Sequence, residues 1–390
     1  MKKCCDKVQA PFKRKNKTET EVIEGQVVEE PFNGHANGIQ LPGMDQEHGL
    51  GLGSENAHML ETQRSFHSPR GSPDLRNHPK DDAWDAVQFK SEWDSVAQSG
   101  DRSAKKQVLA KIAADNYARY IGNKVHIPRS VLFDAADGLV PSPTSSTPNV
   151  IWFTGGTADA CAHFSNEGVV VGFNFANGNH PGGGYIRGAM AQEEELCRQY
   201  PTLYTSLGRA MRYGPKEGMT YYPFGPPVYR EPGVVPGIAP PRASAVIWTP
   251  DVQCLRSSRV EGYRVLSETD AAYHKAHFVS AAAPNVADNG LPKDTFNRTE
   301  IHQTLQNVMQ AAPHFLKTGK VDTIVLGAWG CGAFGNSLET MAELLAHAVK
   351  TYGKFYKNVV FAVPPPPDQN AGMFTILTRP ELFPHMEKRC

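Results

Sequence analysis

The chain has no excess of charge of either sign. Its 390 residues carry 40 Lys and Arg against 40 Asp and Glu, so direct nucleic-acid binding is not indicated and no membrane surface is implied as the main partner. No apolar run reaches about 18 residues, so no transmembrane helix is expected. Cysteine is sparse and scattered. There are seven, only Cys4 and Cys5 are adjacent, and no C-x-x-C pair occurs, which excludes a structural zinc site and a disulfide framework. The 14 histidines show no i, i+4 pairing, so no metal centre is expected. The basic start MKKCCDKVQAPFKRKNK lacks an apolar segment and is not a secretory signal. An intracellular location, cytoplasmic or nuclear and not secreted, is therefore expected. Cys4-Cys5 read as exposed thiols rather than a lipid anchor, because no second anchoring signal is visible.

What is present divides unevenly along the chain. Residues 1–80 are polar and low in complexity, without period, and read as disordered. Residues 81–100 contain Trp84, Val87, Trp93 and Val96 near one helical face, which predicts a docking helix or linker. A folded domain is expected over 101–386. It opens with a helix over 103–121, with Ser103 as a plausible N-cap. Strands are predicted at 150–154, 169–175, 246–249, 278–283, 323–326 and 358–363, and helices at 193–211, 299–317 and 338–352. This alternation implies an α/β fold with a mixed, largely buried sheet. The Pro-rich segment 214–243 is too long for an ordinary connection and reads as a functional cover or insert.

The chemistry concentrates in NFANGNHPGGGYIRGAMAQEEELC, residues 174–197. Gly182, Gly183 and Gly184 let backbone N–H groups approach an anion closely, because no Cβ intervenes. Seven residues later come Gln192, Glu193, Glu194 and Glu195. Acids are favoured at a helix start by the macrodipole alone. Here Glu193 lies three residues before Leu196 and seven before Tyr200, on the side of the buried face, with Glu194 beside it. At least one of these carboxyls is expected to be partly desolvated, which raises its pKa, while the helix N-terminus lowers it. A phosphate cradle beside proton-transfer groups suggests glycosidic cleavage in a phosphorylated sugar. Asn174 and Asn177, at the end of a strand, either form turns or meet sugar hydroxyls.

A second glycine loop, Gly330-Cys331-Gly332-Ala333-Phe334-Gly335, formally fits G-x-G-x-x-G. A Rossmann site is disfavoured, because the fingerprint normally follows the first strand and needs an acid about 20 residues on. What remains is a strand–loop–helix unit able to hold a pyrophosphate. Cys331 reads as a small structural residue. Phe334 is either a core aromatic or a ring laid against a ribose. Both loops follow strands, so they can face one crevice.

These segments resemble the poly(ADP-ribose) glycohydrolases. A Gly triplet, a spacer and Gln192-Glu193-Glu194 is similar to that family's signature. NFANGNHPGGGYIRGAMAQEEELCR, LGAWGCGAFGN, VIWTPDV and SAAAPNV resemble its microbial-type branch, over residues 100–385. The resemblance implies a macrodomain-like three-layer α/β/α fold with a mixed central sheet. It also implies hydrolysis of the ribose–ribose bond of poly(ADP-ribose) without cofactor or metal, with the polymer or ADP-ribosylated proteins as partners. By position Glu194 would be the catalytic acid and base, and Glu193 would orient ribose hydroxyls. Gln192 and Asn177 would fix the sugar, with Asn174 lining the site. Gly182, Gly183 and Gly184, with Gly330, Cys331, Gly332 and Ala333, would grip the pyrophosphate, and Phe334 would meet the ribose. No counterpart of the clasp loop of the animal-type enzymes is visible, which suggests action from chain ends. A catalytically silent ADP-ribose-binding macrodomain, or a hydrolase of another ADP-ribosyl linkage, is the alternative.

Overall fold

The computed structural model describes residues 84–389, except 122–124, 136–139, 145–146, 179, 211, 214–219, 222–243 and 288–297. The chain divides into two units, Met1–Phe66 and His67–Cys390, and the described residues all lie in the second. The low-complexity region 1–80 and most of the Pro-rich segment thus lie outside the described residues.

Eight strands form one mixed sheet, β1(Val131–Phe133), β2(Asn149–Thr154), β3(Val170–Phe175), β6(Val246–Gln253), β7(Lys275–Ala281), β8(Val321–Leu326), β9(Tyr356–Val363) and β10(Glu387–Arg389), ordered β1-β6-β7-β3-β8-β9-β2-β10. A separate two-stranded pair joins β4(Arg212–Tyr213) to β5(Thr220–Tyr221). In the large sheet β6 runs antiparallel to both β1 and β7, and every other pairing is parallel. The central strands are apolar on both faces, as parallel strands covered by helices must be. Alternate residues part to opposite sides. Ile151 and Phe153 join the core beneath α3(Thr157–Ser165), α4(Gln192–Gln199) and α5(Pro201–Arg209). Trp152, Val171 and Phe173 join the other, beneath α6(Arg298–Leu316), α7(Leu338–Tyr352) and α8(Met373–Leu377). The result is the expected three-layer α/β/α architecture.

Three local expectations are corrected. The helix read over 193–211 is two helices meeting at Tyr200 (φ −116°, ψ 73°). Pro201 lacks an N–H and drives the residue before it out of helical geometry. α2(Arg102–Asn116) is capped by Asp101, whose carboxylate accepts from the Ser103 and Ala104 N–H groups, and not by Ser103. In α1(Ala86–Ala97), Val87 is 79% exposed and Phe89 takes the buried position. Asp85 caps this helix, and Phe89, Trp93 and Val96, spaced i, i+4 and i+7, share the inner face, from which Val87 is turned away. They pack on Val108, Leu109 and Ile112 of α2 and on Tyr263, in a third cluster beside the main cores.

Candidate active site

The Gly triplet loop follows the C-terminal end of β3, where ligands of such sheets are held. Gly182 and Gly183 have φ +67° and +54°, a conformation that any residue with a Cβ resists. This turns their peptides back onto the start of α4. Glu193 and Glu194 are 2% and 7% exposed, as the spacing to Leu196 and Tyr200 anticipates. Both need buried donors, since an unsatisfied buried carboxylate is costly. Glu193 Oε1 accepts from Gly182 N at 3.1 Å and Asn174 Nδ2 at 3.3 Å, and its Oε2 accepts from Asn177 N at 2.8 Å. Glu194 Oε1 accepts from Gly184 N at 2.8 Å. Glu194 Oε2 is buried without a hydrogen-bond partner among the described residues, as is Asn174 Oδ1. Burial pushes the Glu193 carboxyl up to about 8, against the three hydrogen bonds that hold it down; the neighbouring Glu194 adds to the rise.

The triplet's three N–H groups donate within the chain, to Glu193, His180 O and Glu194. Gln192 is also committed elsewhere. Its Oε1 accepts from Phe175 N, and its Nε2 donates to Phe173 O and Thr157 Oγ1, all within 2.9 Å. It therefore pins α4 to the end of β3.

A crevice of about 1050 Å³ lies beyond the strand ends. That is the size of a pocket for a small organic ligand. The second glycine loop supplies Gly330, Gly332, Ala333 and Phe334 to its wall, and α4 supplies Gln192 and Glu195. Cys331 is buried, its thiol donates to Trp329 O, and burial pushes that thiol up to about 12, so it is structural. The N–H groups of Gly330, Gly332, Ala333 and Phe334 make no hydrogen bond among the described residues. Phe334 lines the crevice and also packs on the core. Asn336 holds the loop closed, donating to Gly330 O and Pro284 O. This loop, and not the triplet, presents open backbone donors.

Sequence reasoning missed two parts of the wall. Gly155 and Gly156 lead from β2 into α3, where Asp159 Oδ2 accepts from Gly156 N at 2.9 Å. Burial raises the Asp159 carboxyl. A glycine pair directly after a predicted strand was the available signal. The turn Ser258, Arg259 and Val260 also contributes, and nothing in its local sequence announces it. Glu193, Glu194, Asn174, Asn177 and the triplet are not among the residues that line the crevice, although Gln192 and Glu195, which flank Glu193 and Glu194 in sequence, are. Among the described residues no group of three or more His, Cys, Asp or Glu could hold a metal ion. No helix there is long and apolar enough to cross a membrane.

Residues 105–257 match the sequence profile of the microbial-type PARG catalytic domain. No curated protein sequence matches the chain. Among solved structures, poly(ADP-ribose) glycohydrolase (PARG) from Thermomonospora curvata is similar at 23% identity, with 75% of this chain and 97% of that one covered and a TM-score of 0.46. The same enzyme bound to the inhibitor ADP-HPD gives 25% identity, coverage of 75% and 98%, and 0.46. The Deinococcus radiodurans enzyme in complex with ADP-ribose gives 20% identity, coverage of 65% and 94%, and 0.46. Residues 105–257, which hold the glycine triplet and all three glutamates, are thus similar to the microbial-type poly(ADP-ribose) glycohydrolase catalytic domain.

Proposed function

We propose that the crevice hydrolyses the ribose–ribose O-glycosidic bond of poly(ADP-ribose) from chain ends, with Glu194 as general acid and then general base. Glu194 donates its proton to the leaving glycosidic oxygen as the bond to the anomeric carbon breaks. The resulting carboxylate then takes a proton from the water that attacks the oxocarbenium carbon, and free ADP-ribose leaves. What supports this most is the state of the Glu194 carboxyl. One oxygen is fixed by Gly184 N and the other is buried and unpartnered among the described residues. Beside it, burial pushes the Glu193 carboxyl up to about 8. Glu193, Asn174 and Asn177 then position ribose hydroxyls, and Gly330–Phe334 takes the diphosphate on its open N–H groups.

A second reading, a silent ADP-ribose binder, is favoured by one observation: the acid pair does not line the crevice. The two readings separate in one experiment. On automodified polymer the wild-type chain is expected to release ADP-ribose monomers, and Glu194→Gln to lose at least about a thousandfold in rate, within the range of acid–base catalysis, while retaining ADP-ribose affinity. Full activity in that variant refutes the assignment of Glu194. Binding without any release by the wild type establishes the silent reader. Oligomers as first products refute chain-end action.

A further inference from the structure

Arg259 is the one cation among the residues that line the crevice, where Asp159, Glu195 and Asp368 are the acids. Its guanidinium stacks on the ring of Trp93, 5.0 Å from the centroid. Every other arginine near it is paired: Arg256 with Asp115, Arg264 with Asp270 and Arg198 with Glu195. Arg259 forms no ion pair among the described residues. Its turn is rigidly placed. Trp84 Nε1 donates to Gly262 O at 2.9 Å, and Phe89 meets Tyr263 edge-on at 5.3 Å. Tyr263 Oη in turn donates to Glu195 at 2.6 Å. Trp84, Phe89 and Trp93 lie outside the family match, which begins at residue 105. Glu195 already has Arg198, but Asp159 and Asp368 form no ion pair among the described residues, and with a doubly anionic ligand in the same crevice they call for a counter-charge that a stacked guanidinium is pre-organised to supply.

Resting on the function proposed above, we infer that Arg259 contacts a phosphate group of the ADP-ribosyl ligand, and that α1 serves the ligand site by holding Arg259 there through Trp93. The phosphate belongs either to the unit seated in the crevice or to the next unit of the polymer. The test measures ADP-ribose affinity by calorimetry, and KM and kcat on polymer, with the full chain. Arg259→Gln is expected to keep the melting temperature and kcat. It lowers ADP-ribose affinity about tenfold, as for a lost charged hydrogen bond, and flattens the salt dependence of that affinity. Arg259→Lys falls between. Trp93→Ala reproduces a smaller loss that Trp93→Phe restores. A loss confined to KM on polymer, with ADP-ribose affinity intact, assigns the contact to the next unit. Unchanged affinity, KM and salt slope in Arg259→Gln overturn the inference while leaving the hydrolase reading standing. Full affinity in Trp93→Ala overturns the role of α1. Failure of the wild type to bind ADP-ribose overturns both this inference and the proposed function.

Discussion

Glu193, Glu194 and Glu195 are consecutive in sequence, yet they meet three different surroundings. Glu193 is enclosed by Asn174, Asn177 and Gly182, Glu194 has one donor, and Glu195 faces the crevice beside Tyr263 and Arg198. A helix turns about 100° per residue, so neighbours necessarily diverge. That much was legible from Leu196 and Tyr200. The fate of the glycine N–H groups was not, because a Gly triplet reads the same whether its donors serve a ligand or a side chain. Glu193 leads to a prediction about stability. Its folded pKa of about 8 lies above the ordinary 4.5, so the folded state binds the proton more tightly than the unfolded state. Stability is then greatest below about pH 4.5 as far as this group is concerned, and falls as pH rises from there to about 8. Glu193→Gln removes the titration and is expected to flatten the melting temperature across that window. An unchanged slope would show that other groups dominate it.

The elements were read closely wherever period and caps agreed. The helices at 298–316 and 338–352 and the parallel strands carry enough apolar residues for their pattern to decide, and their observed bounds differ by at most three residues from those expected. Tertiary causes were invisible. Tyr200 continues the apolar spacing into α5 although Pro201 breaks the backbone there. Phe89, not Val87, shares a face with Trp93 and Val96, and packing on α2 and Tyr263 selects that face. How α1 docks can be tested at Gly262 (φ +75°), where an added Cβ would sit 2.2 Å from Ala86 O. Backbone cannot yield there as a flexible side chain can. Gly262→Ala is expected to cost about 1–3 kcal/mol from positive φ and displacement combined. Urea denaturation would measure it, with tryptophan fluorescence reporting Trp84 and Trp93 as α1 lifts. A loss no larger than a few tenths of a kcal/mol would mean the contact is slack.

At the scale of the molecule, the sheet order brings the ends of β2, β3, β8 and β9 side by side, and the crevice opens beyond them. Alternating strands and helices foretold the layers, and both glycine loops were foretold at strand ends. Strand order was not legible, because pairing between distant segments leaves no local mark. Nor was the contribution of residues 258–260, whose turn is held against α1 and by Tyr263, far apart in sequence from the rest of the wall. A ligand seated across several strand ends and the Gly330–Gly335 loop would bind only the folded state. ADP-ribose at a hundredfold excess over its Kd is therefore expected to stabilise the chain by about 2.7 kcal/mol, a rise of roughly 5 °C or more in melting temperature. Differential scanning calorimetry would show it, and no shift at saturating ligand would place the binding site elsewhere or nowhere.

The tight turn at residue 183 constrains how this site can change over generations. A Cβ added to Gly183 would lie 2.5 Å from the Glu194 carboxylate and 3.2 Å from that of Glu193. A methyl group at 183 and the carboxylate of residue 194 thus compete for one volume, and the carboxylate, at the far end of a flexible side chain, is the partner that yields. A lineage that acquires the methyl strains the left-handed turn and displaces the proposed proton donor, so the way back to the present arrangement begins with the glycine.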